Sequence, residues 1–432
     1  MLGFRLSLYL LVLFLLISCG GGGDNSSQNS SDNFSSSSST KTIDGLVVDG
    51  YIRNAEVWLE TTDDFSNLEE IATSSDVQGK FSFNTSLTDY RIQSLGGIDL
   101  DTNNSLDGLF LINDQIDNIE LNTSDANKTW ENYIVSPLTT AEFFLAKSLS
   151  NLENPITPSI NELLGLDQNL NVNISNHVSN INNGFMYAKA YEKGNQLTSL
   201  VLSLTRMINA LKSTSQDTNE LFQMILDKLA LDYQSSQTAA NLESPLFLEA
   251  LIENTNTKFN LSLQEEIKIK LKSMLKALIP LIQVKPEISA TKGIFNFATS
   301  TFFNDLISVA SNRDTQDVHQ KYNNSLIAYI SEITGISTAN LAFSISANSD
   351  SVNAYEDQIF NIDVLQNDDF DSQSSFNILF TQPQNGSVTK NNSNILVYTP
   401  NQNFNGNDIF SYTLQQGSLS SEASVNINVQ AV

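Results

Sequence analysis

The chain has 432 residues, with 22 Lys plus Arg against 48 Asp plus Glu and a formal net charge of −26. So acidic a chain is excluded as a nucleic-acid binder, because phosphate contacts need Lys and Arg, and it suits divalent cations instead. Hydrophobic residues make up 40% of it and there is 1 Cys, so real cores across two or three domains are expected, held by packing with no internal disulfide.

In chain order, Arg5 opens a positive start and Leu6 to Ile17 form an apolar run too short for an ordinary membrane span. That is the pattern of a secretory signal. Leu16-Ile17-Ser18-Cys19 resembles the lipobox of bacterial lipoproteins, which implies signal removal before Cys19 and lipidation at Cys19. Several acyl chains give the stable anchoring that one chain does not. Residues 20–40, "GGGGDNSSQNSSDNFSSSSST", cannot bury enough apolar surface to order and read as a disordered tether. Gly20 stands where an Asp commonly signals inner-membrane retention, so the resemblance implies the outer membrane of a bacterial cell envelope.

Residues 41–125 read as a small all-β domain. Ile43, Leu46 and Val48 precede the turn pair Asp49-Gly50, and Ala55, Val57 and Leu59 alternate with Glu56, Trp58 and Glu60. Gly79 turns the chain into a strand through Phe81 and Phe83. "GLVVDGYIRNAEVWLE" with "TSSDVQGKFSF" resembles the prealbumin-type, carboxypeptidase-regulatory-like β-sandwich of bacterial surface proteins, which implies a structural or binding module. Within it, Asp99, Asp101, Asn103, Ser105 and Asp107 recur at alternate positions of "GIDLDTNNSLDG", the spacing of oxygen ligands in a Ca²⁺ loop. The pattern resembles an EF-hand-type loop, with Asn104 in place of Gly and Phe110 in place of the final Glu, unless Asp114 or Asp117 supplies that ligand. A polar Asx-turn loop accounts for the same residues.

Residues 126–345 turn helical. Leu197, Leu200, Val201, Leu204, Ile208 and Leu211 form one stripe, and Leu263, Ile267, Leu271, Met274, Leu275 and Leu278 another. Further helices are predicted at 137–150, 184–194, 217–234, 244–256, 295–310 and 315–334, giving a helical bundle. Ser136 and Pro137 fit a helix start, Ser262 with Glu265 a capping box, Pro280 a helix end and Gly335 a C-terminal stop. Lys268, Lys270, Lys272 and Lys276 form a basic face, read as solvated in preference to membrane-facing.

Residues 346–432 return to strands: Val425, Ile427 and Val429 alternate, and Asn385-Gly386 and Asn405-Gly406 are turn pairs. "EDQIFNIDVLQNDDFD", "PQNGSV" and "YTPNQNFNGNDIFSY" resemble the cadherin-like, bacterial Ig-like repeat of surface adhesins. That resemblance implies an Ig-like sandwich with Ca²⁺ near the domain ends, at Glu356, Asp357, Asn367, Asp368, Asp371 and Asp408. Ordinary turn and loop roles account for Asn367, Asp368 and Asp408 as well.

His177 and His319 are the 2 histidines, both read as surface residues, and no metalloprotease, hydrolase or phosphate-loop motif is present. The expected chain is multidomain: an all-β sandwich, an α-helical bundle and an Ig-like all-β sandwich after a lipoprotein signal and tether. The expected function is a lipid-anchored surface protein, not an enzyme, with a binding, adhesion or structural role. Its expected partners are the membrane, through its lipid, and an extracellular or cell-envelope protein or glycan. A carbohydrate-active enzyme or accessory, with the helical block as functional domain, is the competing reading.

Overall fold

The computed structural model describes residues 41–49, 51–60, 72–85, 90–113, 133–152, 156–173, 176, 178–181, 183–239, 241–314, 317–372 and 375–432. Cys19, the tether, Asp114, Asp117 and His177 lie outside the described residues. The chain enters strands β1 (Lys41–Val47), β2 (Ile52–Arg53), β3 (Glu56–Glu60), β4 (Ala72–Ser74), β5 (Lys80–Thr85), β6 (Arg91–Leu95), β7 (Ile98–Asp99), β8 (Phe110–Asn113) and β9 (Ile134–Val135). They make a three-stranded sheet in the order β5-β1-β9, a four-stranded sheet β4-β3-β6-β8 and the short pair β2-β7. Alternation in β5 sends Phe81, Phe83 and Thr85 inward and leaves Ser82 and Asn84 exposed, as period-two patterning requires. Gly45 faces Phe81 across the β1–β5 register, and a Cβ there would stand 2.3 Å from the Phe81 ring. The β2–β7 pair sets Ile52 opposite Asp99, fixing the loop that follows Asp99 against the turn that follows β1.

Helices follow: α1 (Pro137–Ser150), α2 (Ile160–Leu164), α3 (Phe185–Lys212), α4 (Asn219–Ser236), α5 (Pro245–Lys258), α6 (Glu265–Leu278), α7 (Ile288–Ala298), α8 (Thr301–Ala310), α9 (Val318–Asn324), α10 (Leu326–Thr334) and α11 (Thr338–Ala342). Ser136 caps α1 as expected, its side chain accepting from the Thr139 N–H, and the Thr139 hydroxyl oxygen accepts the Ser136 N–H in return. Gly335 ends α10 in the left-handed conformation, and Pro280 follows the end of α6.

Several helical expectations are corrected. The two helices predicted at 184–194 and 197–211 are one 28-residue helix, α3. The predicted 295–310 helix divides at Thr299-Ser300 into α7 and α8, and the predicted 315–334 helix divides at Ser325 into α9 and α10. Ser262 does not cap α6: its φ is +56° and Gln264 is the N-cap. The Asn256 side chain accepts the Leu263 N–H instead, and Glu265 pairs with Lys268. The basic face of α6 is neutralised by Glu253 and Glu249 of α5, with Lys268 and Lys272 on Glu253 and Lys276 on Glu249, and by Glu266 of α6 itself on Lys270.

One continuous apolar core runs from Ile43 and Phe83 through Phe144, Leu200 and Phe222 to Leu341. The β head and the helical block therefore share an interior, and the expected boundary at 125/126 lies outside the described residues.

The C-terminal domain has its own core. Strands β10 (Asp350–Tyr355), β11 (Phe360–Ile362), β12 (Asn377–Phe380), β13 (Gly386–Lys390), β14 (Leu396–Pro400), β15 (Gly406–Gln416) and β16 (Leu419–Gln430) form sheets β10-β16-β15-β12 and β11-β14-β13. Phe410, Tyr412, Val425 and Ile427 of the first meet Ile362, Leu396 and Tyr398 of the second. The β15–β16 turn docks on the segment after α6: the Val284 N–H donates to the Ser418 hydroxyl at 2.8 Å and the Ser418 N–H to the Val284 carbonyl at 3.3 Å. Gly417 between them has φ +60°, and a Cβ there would lie 2.4 Å from the Val284 oxygen. The Lys285 amine holds the Phe343 carbonyl at 3.0 Å, tying the connecting segment to the same place.

Two outcomes follow from these packing sites. Ser136→Ala removes a buried reciprocal cap and lowers stability by about 1–2 kcal/mol, read from urea unfolding midpoints. Gly417→Ala combines backbone strain with overlap at Val284 and costs roughly 1–3 kcal/mol. In that variant, limited proteolysis cuts the connection at residues 343–349 faster than in the wild type.

Candidate functional site

In the loop after β7 the alternate side chains bond to different partners. Asp99 is buried at 0% exposure, its Oδ1 accepting the Asp101 N–H at 2.8 Å and its Oδ2 the Thr102 hydroxyl at 2.6 Å. Asp101 reaches outward to the Lys292 amine of α7 at 2.6 Å. Asn103 accepts from Arg53 at 2.7 Å and carries the positive φ, +57°, that the EF-hand-type reading assigned to position 104. Asn104 is instead tied to Asn296 and Thr299. Ser105 and Asp107 are exposed, and the Ser105 carbonyl takes the Arg206 guanidinium at 2.7 Å. β7 pairing turns Asp99 inward, while Lys292 of α7 holds Asp101 and Arg53 of β2 holds Asn103.

A second buried carboxylate acts on the same region. Asp49, in the turn after β1, is 2% exposed, and its Oδ2 has no hydrogen-bond partner. Burial holds its carboxyl well above the ordinary range. The Thr198 hydroxyl of α3 opposes that rise, and the charges of Asp99 and Asp101 add to it. Burial likewise pushes Asp99 up to about 7, against the bonds from Thr102 and the Asp101 N–H. Burial raises the Tyr191 hydroxyl too, helped by the charges of Asp101, Asp99 and Asp49. Two buried carboxylates thus face the polar side of α3. The sequence signal was an Asp in a turn, which ordinarily satisfies its own backbone.

In the C-terminal domain the expected residues fall into three places. Glu356 accepts from Asn405 and the Val432 N–H, and Asp357 accepts from the Asn403 N–H, all at the end of β10. Asp408 is buried within β15 and accepts from the Tyr398 hydroxyl at 2.9 Å and the Asn385 N–H at 3.1 Å. Asn367, Asp368 and Asp371 lie at the start of β10, where Asp368 accepts from the Asn348 N–H and the Tyr412 hydroxyl. The Asp371 N–H and carbonyl are both bonded to Gln416. Here sequence reading missed Asp350. Burial lifts its carboxyl to about 6, with the Asp368 and Asp363 charges adding to the shift, and one oxygen each of Asp350 and Asp368 is unpartnered.

Among the described residues, the one group of three acidic or histidine side chains with ligand atoms within 4.8 Å of one another is Asp314, Asp317 and His319. His319 is buried, contrary to its expected surface position, because Asp314 in the preceding turn draws its ring inward. Its Nδ1 lies 2.6 Å from Asp314 and its Nε2 2.9 Å from Gln320, so both ring nitrogens are engaged. A cavity of about 560 Å³ lies where the helical block meets the C-terminal domain, bordered by Asn183, Phe185, Lys285, Phe376 and Gln415, with no Asp or Glu in its lining. No helix among the described residues is long and apolar enough to cross a membrane.

The proton count gives a testable sign. Asp99 has a folded-state value of about 7 against an ordinary 3.8. Between those values the folded chain binds a proton that the unfolded chain lacks, so this group's contribution to stability falls as pH rises through that window and is level above it. Asp99→Asn removes that fall. Subtracting the variant's urea midpoints from those of the wild type across pH 4–8 exposes the slope, and a pH-independent difference contradicts it.

Comparison with known proteins assigns the C-terminal domain. Residues 342–428 match the family model for the bacterial Ig domain, so this region is Ig-like. A stretch of 65 residues is 42% identical to the protein GAMETE EXPRESSED 2 of Arabidopsis thaliana, covering 15% of this chain and 7% of that protein. An endo-fucoidan hydrolase of glycoside hydrolase family 107 aligns over 19% of this chain and 13% of its own at 19% identity. Its TM-score of 0.16 is too low to carry an argument. The chain thus spans only a small fraction of either protein.

Proposed function

We propose that this is a lipid-anchored bacterial surface protein that binds through the open sheet face of its Ig-like domain, with a neutral, hydroxyl-rich glycan as partner. The match of residues 342–428 to the bacterial Ig domain supports a surface-binding role, and the lipobox-like segment ending at Cys19 supports the anchor. One observation carries the binding reading. Across β10, β16 and β15 the register aligns Asn353, Asn428 and Asn407 in one row and Ser351, Asn426 and Ile409 in the next. All six are exposed and none is charged, in a chain of net charge −26. They line a shallow depression of about 500 Å³. Tyr355 stands at one side of this face, 51% exposed.

Carboxamides offer paired donors and acceptors that match neighbouring hydroxyls, and an exposed tyrosine offers an apolar ring face with a polar tip. The net negative charge disfavours an anionic partner. Calcium belongs to this proposal as a stiffener of the Ig-like domain, with Asp350 and Asp368, each with one unpartnered oxygen, as its holders.

The test is binding of the protein to neutral and anionic glycan panels. The pair Asn407→Ala and Asn428→Ala abolishes neutral-glycan binding while changing stability by less than about 0.5 kcal/mol per exposed site. Binding unchanged in that variant rejects the face as the contact surface. Cys19→Ala moves the protein out of the membrane fraction, and protease treatment of intact cells removes the Ig-like domain of the wild type.

A further inference from the structure

We propose that the glycan held by the Ig-like sheet face is an extended chain, and that its far end lies in the cavity where that sheet meets the helical block. This rests on the face reading above and adds a second subsite to it, with residues of the helical block in its wall.

The strand β15 carries the argument. Its alternation buries Asp408, Phe410, Tyr412 and Leu414 and turns Asn407, Ile409, Ser411, Thr413 and Gln415 to the other side. That row is uncharged along its whole length. It begins in the depression of about 500 Å³, which Asn407 and Ile409 line, and ends in the cavity of about 560 Å³, which Gln415 lines. At about 3.4 Å per residue, Asn407 and Gln415 stand roughly 27 Å apart along the strand. Two recesses thus lie on one sheet face, at the two ends of one strand. A terminal sugar fills one of them, and only a chain fills both.

The chemistry of the cavity matches that of the face. Asn377 of β12 donates to Gln415 at 3.4 Å and accepts the Lys390 amine at 3.2 Å, so both carboxamides stand on the same side of the sheet. Asn183 and Phe185 flank the start of α3, and Phe376 comes from the segment before β12. The two rings are half-buried and offer an apolar surface beside the carboxamides. A sugar ring uses both, through the hydroxyls at its rim and the C–H groups of its face. Lys285, the charged residue of the wall, is spent on the Gln283 side chain at 3.1 Å and the Phe343 carbonyl at 3.0 Å. Glu422 stands opposite Thr413 and, with the net charge of −26, disfavours an anionic chain. A chain in both recesses is gripped by the Ig-like domain and the helical block at once. Its affinity grows with length, because the second recess captures an end already tethered by the first.

The test uses the full chain in calorimetric titrations with neutral oligosaccharides of graded length, the cello-, laminari- and manno-series with their parent polysaccharides. In the series that binds, short members hold weakly at the face alone, and affinity steps up by on the order of 10²-fold once the chain spans both recesses. Asn377→Ala with Gln415→Ala loses the step and keeps the short-member affinity. Ser375→Trp, at an exposed position in the cavity wall, blocks the recess without touching either carboxamide and gives the same result. Unchanged urea midpoints separate loss of grip from loss of fold. The proposal is overturned if wild-type affinity does not change with length, or if either cavity variant keeps the step. The face reading survives both results as long as short-member binding is lost in Asn407→Ala with Asn428→Ala. Short-member binding unchanged in that pair overturns the two readings together, as does a wild type that binds no neutral series or steps up only with an anionic chain such as polygalacturonate.

Discussion

The fold depends on one helix being enclosed on every side. From Ala190 to Thr205 each residue of α3 is buried. A helix in that position has no solvent face on which to place polar groups, yet this one carries Glu192, Lys193, Asn195, Gln196, Thr198 and Ser199. Each has to be answered from within the protein. Lys193 is answered by Glu192, Gln196 and Glu243, and Gln196 by Glu243 and the carbonyls of Ile279 and Ile282. Gln196 thereby fastens the chain where it leaves α6. The β head comes to α3 from another side and brings Asp49 and Asp99 with it. The shared core from Ile43 to Leu341 is the apolar counterpart of that enclosure.

Local chemistry made much of this readable. Ser136-Pro137 announced α1 because capping needs only neighbouring residues. Val425, Ile427 and Val429 announced β16 because strand alternation survives in any half-buried sheet. What stayed hidden was decided by tertiary enclosure. The polar pair Asn195-Gln196, directly after Gly194, looks like a gap between two helices, since periodicity assumes a solvent side to which polar residues turn. His319 looks exposed until Asp314 is seen to face its ring. Asp49 looks like a turn residue until β2 pairs with β7 and brings Asp99 to it. The loop 99–107 was chosen for its spacing, but spacing says nothing about which way each oxygen faces. Arg53 and Lys292 hold two of those oxygens, on Asn103 and Asp101.

The two acidic places differ in kind. At the start of β10, Asp350 and Asp368 are half-buried, and solvent shares in their compensation. In the seam beside α3, compensation must come from within. The same residue type at the same charge therefore has different consequences for the fold, set by the side chains around it and not by the number of carboxylates.

The clip at Gly417 and Ser418 bears on mechanics. A domain joined by a flexible segment hangs free, and a tug on it merely straightens the connection. Here β15 runs from Gly406, beside the amide-lined face, to Gln416, directly before the clip. Tension applied at that face travels along the strand to Val284 and then, through Ile282 and Gln196, into α3. The Ig-like domain is a handle on the helical body, and a load on it is borne by that body's interior before the connecting segment is stretched.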